Sequence, residues 1–244
     1  MNKIKAIKKA SLTLFSILLF AFGALFINFF IFPFQKNNFQ KYKMLNKSWK
    51  FYINLISWLK IIKVNVEEID KIQNIKNSII VSTHPSLLDV VVIMSLIPNT
   101  TCFVAEKLAR NPFYKGIVNR LFIIEGEENW TDKAVKKLNE GINVLIFPMG
   151  SRHKKNEHPR IHRGAASLAY MSKTDIEIIN IEISNDFLQK NTPVYDTGAE
   201  TTVYTIKYID KIKTLEYINE YEDETTCKTN ITKCITNKIY KNTK

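Results

Sequence analysis

The first 63 residues contain no aspartate and no glutamate, although they hold eleven lysines. That absence locates nearly all of the chain's formal charge of +12, because the remaining 24 basic residues face 23 acidic ones from Val64 onward. A nucleic-acid-binding protein carries its charge on the folded body, so this distribution argues against that class. A basic, acid-free segment interrupted by apolar runs fits an anionic membrane surface instead. Cysteine is scarce: Cys102, Cys227 and Cys234 show no metal-like pairing, which argues for reduced thiols in a cytoplasmic setting. Neither an internal repeat nor a low-complexity linker divides the 244 residues, a length suited to one catalytic domain with a short appendage.

Ser11 to Phe34 runs for 24 residues without a charge, with Lys3, Lys5, Lys8 and Lys9 before it and Lys36 after it. At ~1.5 Å per helical residue such a stretch crosses a ~30 Å hydrocarbon core. A cleaved signal peptide would have a shorter apolar region followed by small residues, whereas this stretch ends Phe29-Phe30-Ile31-Phe32-Pro33-Phe34. Lysines on both sides leave its orientation open. Residues 42 to 62 form a second helical segment in which Trp49, Phe51, Tyr52 and Trp58 alternate with Lys43, Lys47, Lys50 and Lys60. Rings at headgroup depth with snorkelling ammonium groups make an interfacial helix, and a core helix of the soluble domain is the alternative. The two segments together form either a span plus a surface helix or a hairpin dipping into one leaflet.

From Lys63 the period changes. Short β-type runs at 63–68, 78–83, 101–105, 122–125, 143–148, 176–184 and 202–209 alternate with helical stretches at 86–96, 112–121, 131–140 and 162–173. The expected fold is α/β: a mixed, mostly parallel central sheet flanked by helices and preceded by the membrane-associated helical segment. Gly141 stands where a helix ends. The polar tail from Glu220 carries a final helix over 229–240. The expected division is 1–63 for the membrane helices and 64–244 for the catalytic domain.

Chemistry concentrates at two strand ends. The run Ile79-Ile80-Val81 leads to His84, with Pro85 next and Asp89 five residues past the histidine. A neutral imidazole accepts a proton near pH 7, and a carboxylate on its far nitrogen fixes the tautomer and stabilises the imidazolium. No Ser or Cys stands evidently placed as a nucleophile, so the pair suits activation of an external hydroxyl. The second constellation follows Val144-Leu145-Ile146, where Phe147-Pro148-Met149-Gly150-Ser151-Arg152 begins 63 residues after His84. A glycine, a hydroxyl and a fork-shaped guanidinium past a strand end make an anion cradle, the alternative being a tight turn with a solvated arginine. Basic residues continue through His153, Lys154, Lys155, Arg160 and Arg163. His153, His158 and His162 lack the carboxylate–histidine spacing of a metal site.

His84-Pro85-Ser86-Leu87-Leu88-Asp89 resembles the first block of the glycerolipid acyltransferases, and Phe147 to Arg152 resembles their F-P-E-G-T-R block. Arg163-Gly164-Ala165-Ala166 and the apolar strand at 178–183 extend the likeness over roughly 64–209. Lys107-Leu108-Ala109-Arg110-Asn111-Pro112-Phe113 is similar to a bacterial subgroup encoded with aryl-polyene-type lipid pathways. The resemblance implies transfer of a fatty acyl group from acyl-carrier protein or acyl-CoA to a hydroxyl of a 1-acylglycerol-3-phosphate-like lipid in phospholipid or glycolipid biosynthesis. No resident cofactor or metal is implied, the thioester being a co-substrate. It implies His84 as base, Asp89 as its orienter, and Gly150, Ser151, Arg152 and Arg163 around the acceptor's phosphate. It also implies membrane lipids as partners and an inner-membrane enzyme with a cytoplasmic catalytic domain. Two departures fall on acceptor recognition: Met149 stands in place of the block's glutamate, and Leu121-Phe122-Ile123-Ile124-Glu125-Gly126 has no arginine after it. A membrane lipid-binding homologue that has lost turnover is the competing reading.

Overall fold

The computed structural model describes residues 2–35, 37–153 and 157–241. Seven strands form one sheet in the order β1-β7-β6-β2-β5-β3-β4. They are β1 (Ile62–Glu67), β2 (Ile79–Ser82), β3 (Thr100–Val104), β4 (Ile123–Ile124), β5 (Asn143–Ile146), β6 (Ile176–Ile183) and β7 (Thr202–Ile212). Every neighbouring pair is parallel except β6 and β7, so the mixed, mostly parallel sheet is as expected. The central strands are apolar on both faces because both faces are covered; Ile79, Ile80 and Val81 of β2 are wholly buried.

One face is covered by α1 (Asn2–Phe26), α2 (Asn38–Trp58), α3 (Ile69–Gln73), α4 (Asp89–Leu96) and α6 (Lys115–Leu121), which share one apolar cluster. The other carries α7 (Trp130–Asn139), α8 (Gly164–Ser172) and α10 (Glu224–Lys241) in a second cluster. In α10 the buried residues Cys227, Ile231, Ile235 and Ile239 recur every fourth position, the stripe a core-facing helix requires. The short α5 (Glu106–Arg110) and α9 (Thr214–Glu220) complete the helices of the described residues. Gly141, at φ +78°, ends α7 in the left-handed conformation expected there.

The division expected between residues 63 and 64 falls inside β1. The second helix starts earlier and ends earlier than 42–62: the Asn37 side chain caps it by accepting from the Gln40 N–H at 2.8 Å, and Ile61 and Ile62 enter the core instead. Tyr42, Leu45, Trp49, Tyr52, Ile53 and Ile56 bury one face of α2, while Phe51 and Trp58 stay exposed on the other. The inner apolar face packs on the protein and the outer one is exposed.

The first helix continues past Phe26 through a π-helical turn, Ile27–Ile31, and a 3-10 turn, Phe32–Phe34. It stays on the protein along its length. The Phe20 ring lies 4.9 Å from that of Tyr52, the Phe22 ring 6.4 Å from that of Phe113, and Arg120 Nη1 donates to Asn28 Oδ1 at 2.8 Å. Its polarity is inverted relative to a soluble amphipathic helix. Lys9, Thr13 and Ser16 are buried, while Phe15, Phe22, Phe26, Phe29, Phe30 and Phe34 are each more than half exposed.

Candidate active site

β2 and β5 are adjacent and parallel, with Val81 opposite Ile146. Both sequence blocks therefore leave the sheet at the same end, beyond the carboxyl ends of two adjacent strands, and 63 residues of chain close into one site. The carboxyl end of parallel strands is where α/β sheets place ligands. Beyond β2 the chain turns sharply so that Asp89, first residue of α4, points back at His84. Asp89 Oδ2 accepts from His84 Nδ1 at 2.8 Å and from the Ser86 N–H at 2.7 Å. With its hydrogen on Nδ1, the neutral ring keeps the Nε2 lone pair for a substrate proton. The imidazole stacks on Phe147 with ring centroids 4.1 Å apart and planes 17° from parallel. Its side chain remains 17% exposed while that of Asp89 is fully buried. Burial pushes the Asp89 carboxyl above its ordinary range, while the His84 bond, the Ser86 N–H and the Arg152 charge pull the other way.

Ser86 offers no nucleophile. Its hydroxyl is wholly buried and lies 2.6 Å from the Tyr204 hydroxyl of β7. The Thr83 hydroxyl, also buried, accepts from the Ile181 N–H at 2.7 Å and fastens the end of β2 to β6. The histidine's backbone is held as firmly as its ring, since its carbonyl accepts from the His153 N–H at 3.1 Å.

Phe147 to Gly150 is a tight turn, closed by a bond from the Gly150 N–H to the Phe147 carbonyl at 3.0 Å. Gly150 has φ +71°, a conformation that costs an L-residue about 1 kcal/mol or more. Gly150→Ala is expected to lower stability by that small amount yet reduce turnover more, because the strained turn carries Ser151 and Arg152; melting and rate measurements on the same preparation check this. Met149 is 5% exposed and belongs to the cluster beneath α8 that contains Val81, Ile146, Ile161 and Ala165. Methionine therefore fills core volume here. Met149→Glu is expected to cost about 1–3 kcal/mol, or roughly 3–10 °C in Tm, through burial of a carboxylate among apolar side chains. A thermal melt decides it.

The structure brings His84, Asp89, Gly150, Ser151 and Arg152 to one strand end. Arg152 Nη1 donates to the carbonyls of Leu188 at 2.8 Å and Gln189 at 3.1 Å, so part of the guanidinium ties the turn to the loop after β6. Ser151 is exposed, with Lys190 Nζ 3.5 Å from its hydroxyl. Arg163 is exposed at the N-terminal cap of α8, next to His162, whose N–H donates to the Pro148 carbonyl of the turn at 2.8 Å. Arg160 is also exposed. Lys154 and Lys155 lie outside the described residues. Among the described residues no three of His, Cys, Asp and Glu cluster as metal ligands would. Sequence reading missed the Phe147 ring beneath the imidazole, the Tyr204 hydroxyl on Ser86, and the Leu188 and Gln189 carbonyls on Arg152; backbone carbonyls carry no sequence signal at all.

A histidine held by a buried carboxylate, beside a glycine turn bearing an arginine, is an arrangement able to activate a hydroxyl for transfer. Residues 63–184, half of the chain, match the family model described as Acyltransferase. The chain belongs to this family and is an O-acyltransferase. It is 26% identical over 198 residues to the 1-acyl-sn-glycerol-3-phosphate acyltransferase of Borreliella burgdorferi, covering 78% of this chain and 75% of that protein. The crystal structure of the 1-acyl-sn-glycerophosphate acyltransferase of Thermotoga maritima matches with a TM-score of 0.72 over 97% of this chain and 95% of that one, at 16% identity. That likeness is one of fold.

Proposed function

We propose that the protein moves a fatty acyl group from an acyl-carrier-protein or CoA thioester to the free hydroxyl of a 1-acylglycerol-3-phosphate-like lysophospholipid, working at a membrane surface. The observation that carries this reading is the His84–Asp89 pair, bonded at 2.8 Å beside the Phe147–Arg152 turn. His84 Nε2 takes the acceptor's proton as its oxygen attacks the thioester carbonyl. The resulting oxyanion collapses, the C–S bond breaks, and the thiolate leaves with the proton that the imidazolium returns. Asp89 holds the ring throughout and balances its transient charge. The remaining guanidinium N–H groups of Arg152, the Ser151 hydroxyl and the turn's backbone face the acceptor's anionic group, with Arg163 at the approach.

The outward phenylalanines of α1, with Phe51 and Trp58 of α2, support seating in one leaflet of the inner membrane from its cytoplasmic side. A helix fastened to the body from Lys9 to Asn28 lies along the protein instead of standing away from it, and its exposed rings require an apolar neighbour. The test incubates purified protein on phospholipid vesicles with labelled acyl-carrier protein or acyl-CoA and a panel of lysophospholipids and hydroxylated lipids, with mass spectrometry of the products. Acylated lysophosphatidate is the expected product. Free fatty acid alone would make the protein a hydrolase, and binding without turnover would make it a lipid carrier; either overturns the proposal.

A further inference from the structure

Four lysines open the chain, and the fold treats one of them differently. Lys3, Lys5 and Lys8 are exposed, whereas Lys9 is 6% exposed. A lysine on an apolar surface helix ordinarily extends its ammonium group to water. Lys9 instead reaches into the body. Its Nζ donates to the Thr197 carbonyl at 2.7 Å, to the Thr202 hydroxyl at 3.2 Å and to the Glu200 carbonyl. Three hydrogens thus meet three oxygens, and the ammonium lies 5.0 Å from the centre of the Phe187 ring. A buried ammonium is tolerated only where its hydrogens are satisfied in this way.

All of these partners lie on the loop between β6 and β7 or on the first residue of β7. The same loop holds both halves of the active site. Leu188, next to Phe187, offers one carbonyl to the Leu87 N–H at 3.1 Å and to Arg152 Nη1 at 2.8 Å. Leu87 stands between His84 and Asp89, and the Arg152 charge acts on Asp89. Leu188 has φ +53°, a conformation that a non-glycine residue keeps only where its surroundings hold it. Asn185 braces the loop from its other end, its Oδ1 accepting from the Thr202 hydroxyl at 2.9 Å and from the Phe187 N–H at 3.3 Å.

We infer that Lys9 is a positioning residue, which couples seating of the N-terminal helix to alignment of the active site by clamping the β6–β7 loop whose Leu188 carbonyl joins Leu87 to Arg152. The inference rests on the acyl-transfer reading above for its kinetic consequence, but the clamp is a physical contact that is measurable without turnover. Lys9 touches no substrate. It acts four links away, and its loss changes how often the loop stands in its working arrangement, not how the acceptor is held.

The experiment compares Lys9→Met with Lys8→Met in the full-length protein on anionic phospholipid vesicles. Methionine keeps an unbranched stem and removes the ammonium, and the Lys8 variant removes the same charge from an exposed neighbour. Lys9→Met is expected to lower kcat about tenfold, a barrier change readily produced by imperfect positioning, with acceptor KM within about twofold of the parent. Backbone amides of 184–201 exchange faster with deuterium in this variant, while β5 and α10 exchange as in the parent. Lys8→Met keeps parental kcat and parental exchange. Parental kcat and parental loop exchange in Lys9→Met overturn the inference, as does an equal loss in both variants, which would assign the effect to membrane charge. Should Lys9→Met fail to fold, Thr202→Val removes one of its acceptors, together with the hydroxyl's bond to Asn185, without altering α1; it is expected to speed loop exchange and lower kcat about threefold, and no change in either overturns the clamp. If the parent transfers no acyl group, the proposed function fails and the loop-exchange comparison alone still decides this inference.

Discussion

Replacing His84 by alanine is expected to lower kcat by about 10³-fold while leaving the fold intact, because general base catalysis of this kind contributes roughly 10²–10⁴-fold. The ring is partly exposed and rests on one face of Phe147, so its removal opens no deep cavity. Acceptor KM stays near the parental value, since the Phe147–Arg152 turn is untouched. Matched rates for parent and variant, measured on the same vesicles with active protein quantified, check the outcome. Parental activity in His84→Ala would remove the mechanism altogether.

The same variant changes how stability depends on pH, and the sign follows from Asp89. In the parent its carboxyl is raised by burial, with the His84 bond the largest opposing influence. A group whose folded pKa lies above its unfolded value stabilises the fold in its protonated form; that stability is complete below the unfolded pKa and is lost as pH rises through the folded one. Deleting the imidazole removes the largest opposing influence, so the folded pKa of Asp89 climbs further. His84→Ala is therefore expected to tolerate acid at least as well as the parent and to lose stability over a window extending to higher pH. Melting curves across the acid-to-neutral range reveal it as a widening gap between the two proteins.

The central strands β2 and β5 were legible from their consecutive Ile, Val and Leu, and β1 and β7 from alternation of apolar with polar residues. All seven expected strands are present, with shifted ends. The two sequence blocks were legible as chemistry because each sits just past such a run, and adjacent parallel strands then bring them together. The second helix was not fully legible: Trp49, Tyr52 and Ile56 on one side and Phe51 and Trp58 on the other give apolar character all round. Periodicity finds the helix but does not say which side meets lipid and which meets protein. Lys9 was illegible for a simpler reason, since nothing in Lys3, Lys5, Lys8 and Lys9 distinguishes the residue that folds inward. Its partners are mostly carbonyls, which every residue carries. Met149 looked like a missing carboxylate at the acceptor, whereas its side chain lies in the core under α8.

Asp89→Asn is expected to move activity and stability in opposite directions. Asparagine keeps the size of the side chain, but Asp89 Oδ2 alone accepts from both His84 Nδ1, at 2.8 Å, and the Ser86 N–H, at 2.7 Å. With the amide oxygen in that place the ring keeps its tautomer and the imidazolium loses its counter-charge. With the amide nitrogen there the imidazole's hydrogen moves to Nε2 and the base loses the lone pair that takes the acceptor's proton. In a serine protease triad the equivalent change lowers kcat about 10⁴-fold with the geometry intact, and a loss on the order of 10³-fold or more is expected here. Stability behaves differently because Asp89 is fully buried and one of its oxygens, Oδ1, has no hydrogen-bond partner among the described residues. Removing a charge from that setting relieves a desolvation cost at neutral pH, so Tm is expected to stay level or rise. Asp89→Ala tests the alternative that the residue is merely structural. It leaves a void and an unpaired Ser86 N–H, and is expected to lower Tm as well as rate. A purely structural Asp89 would make rate follow Tm through all three proteins. A positioning Asp89 leaves the asparagine variant stable and inactive, which circular dichroism and product assays on a single preparation distinguish directly.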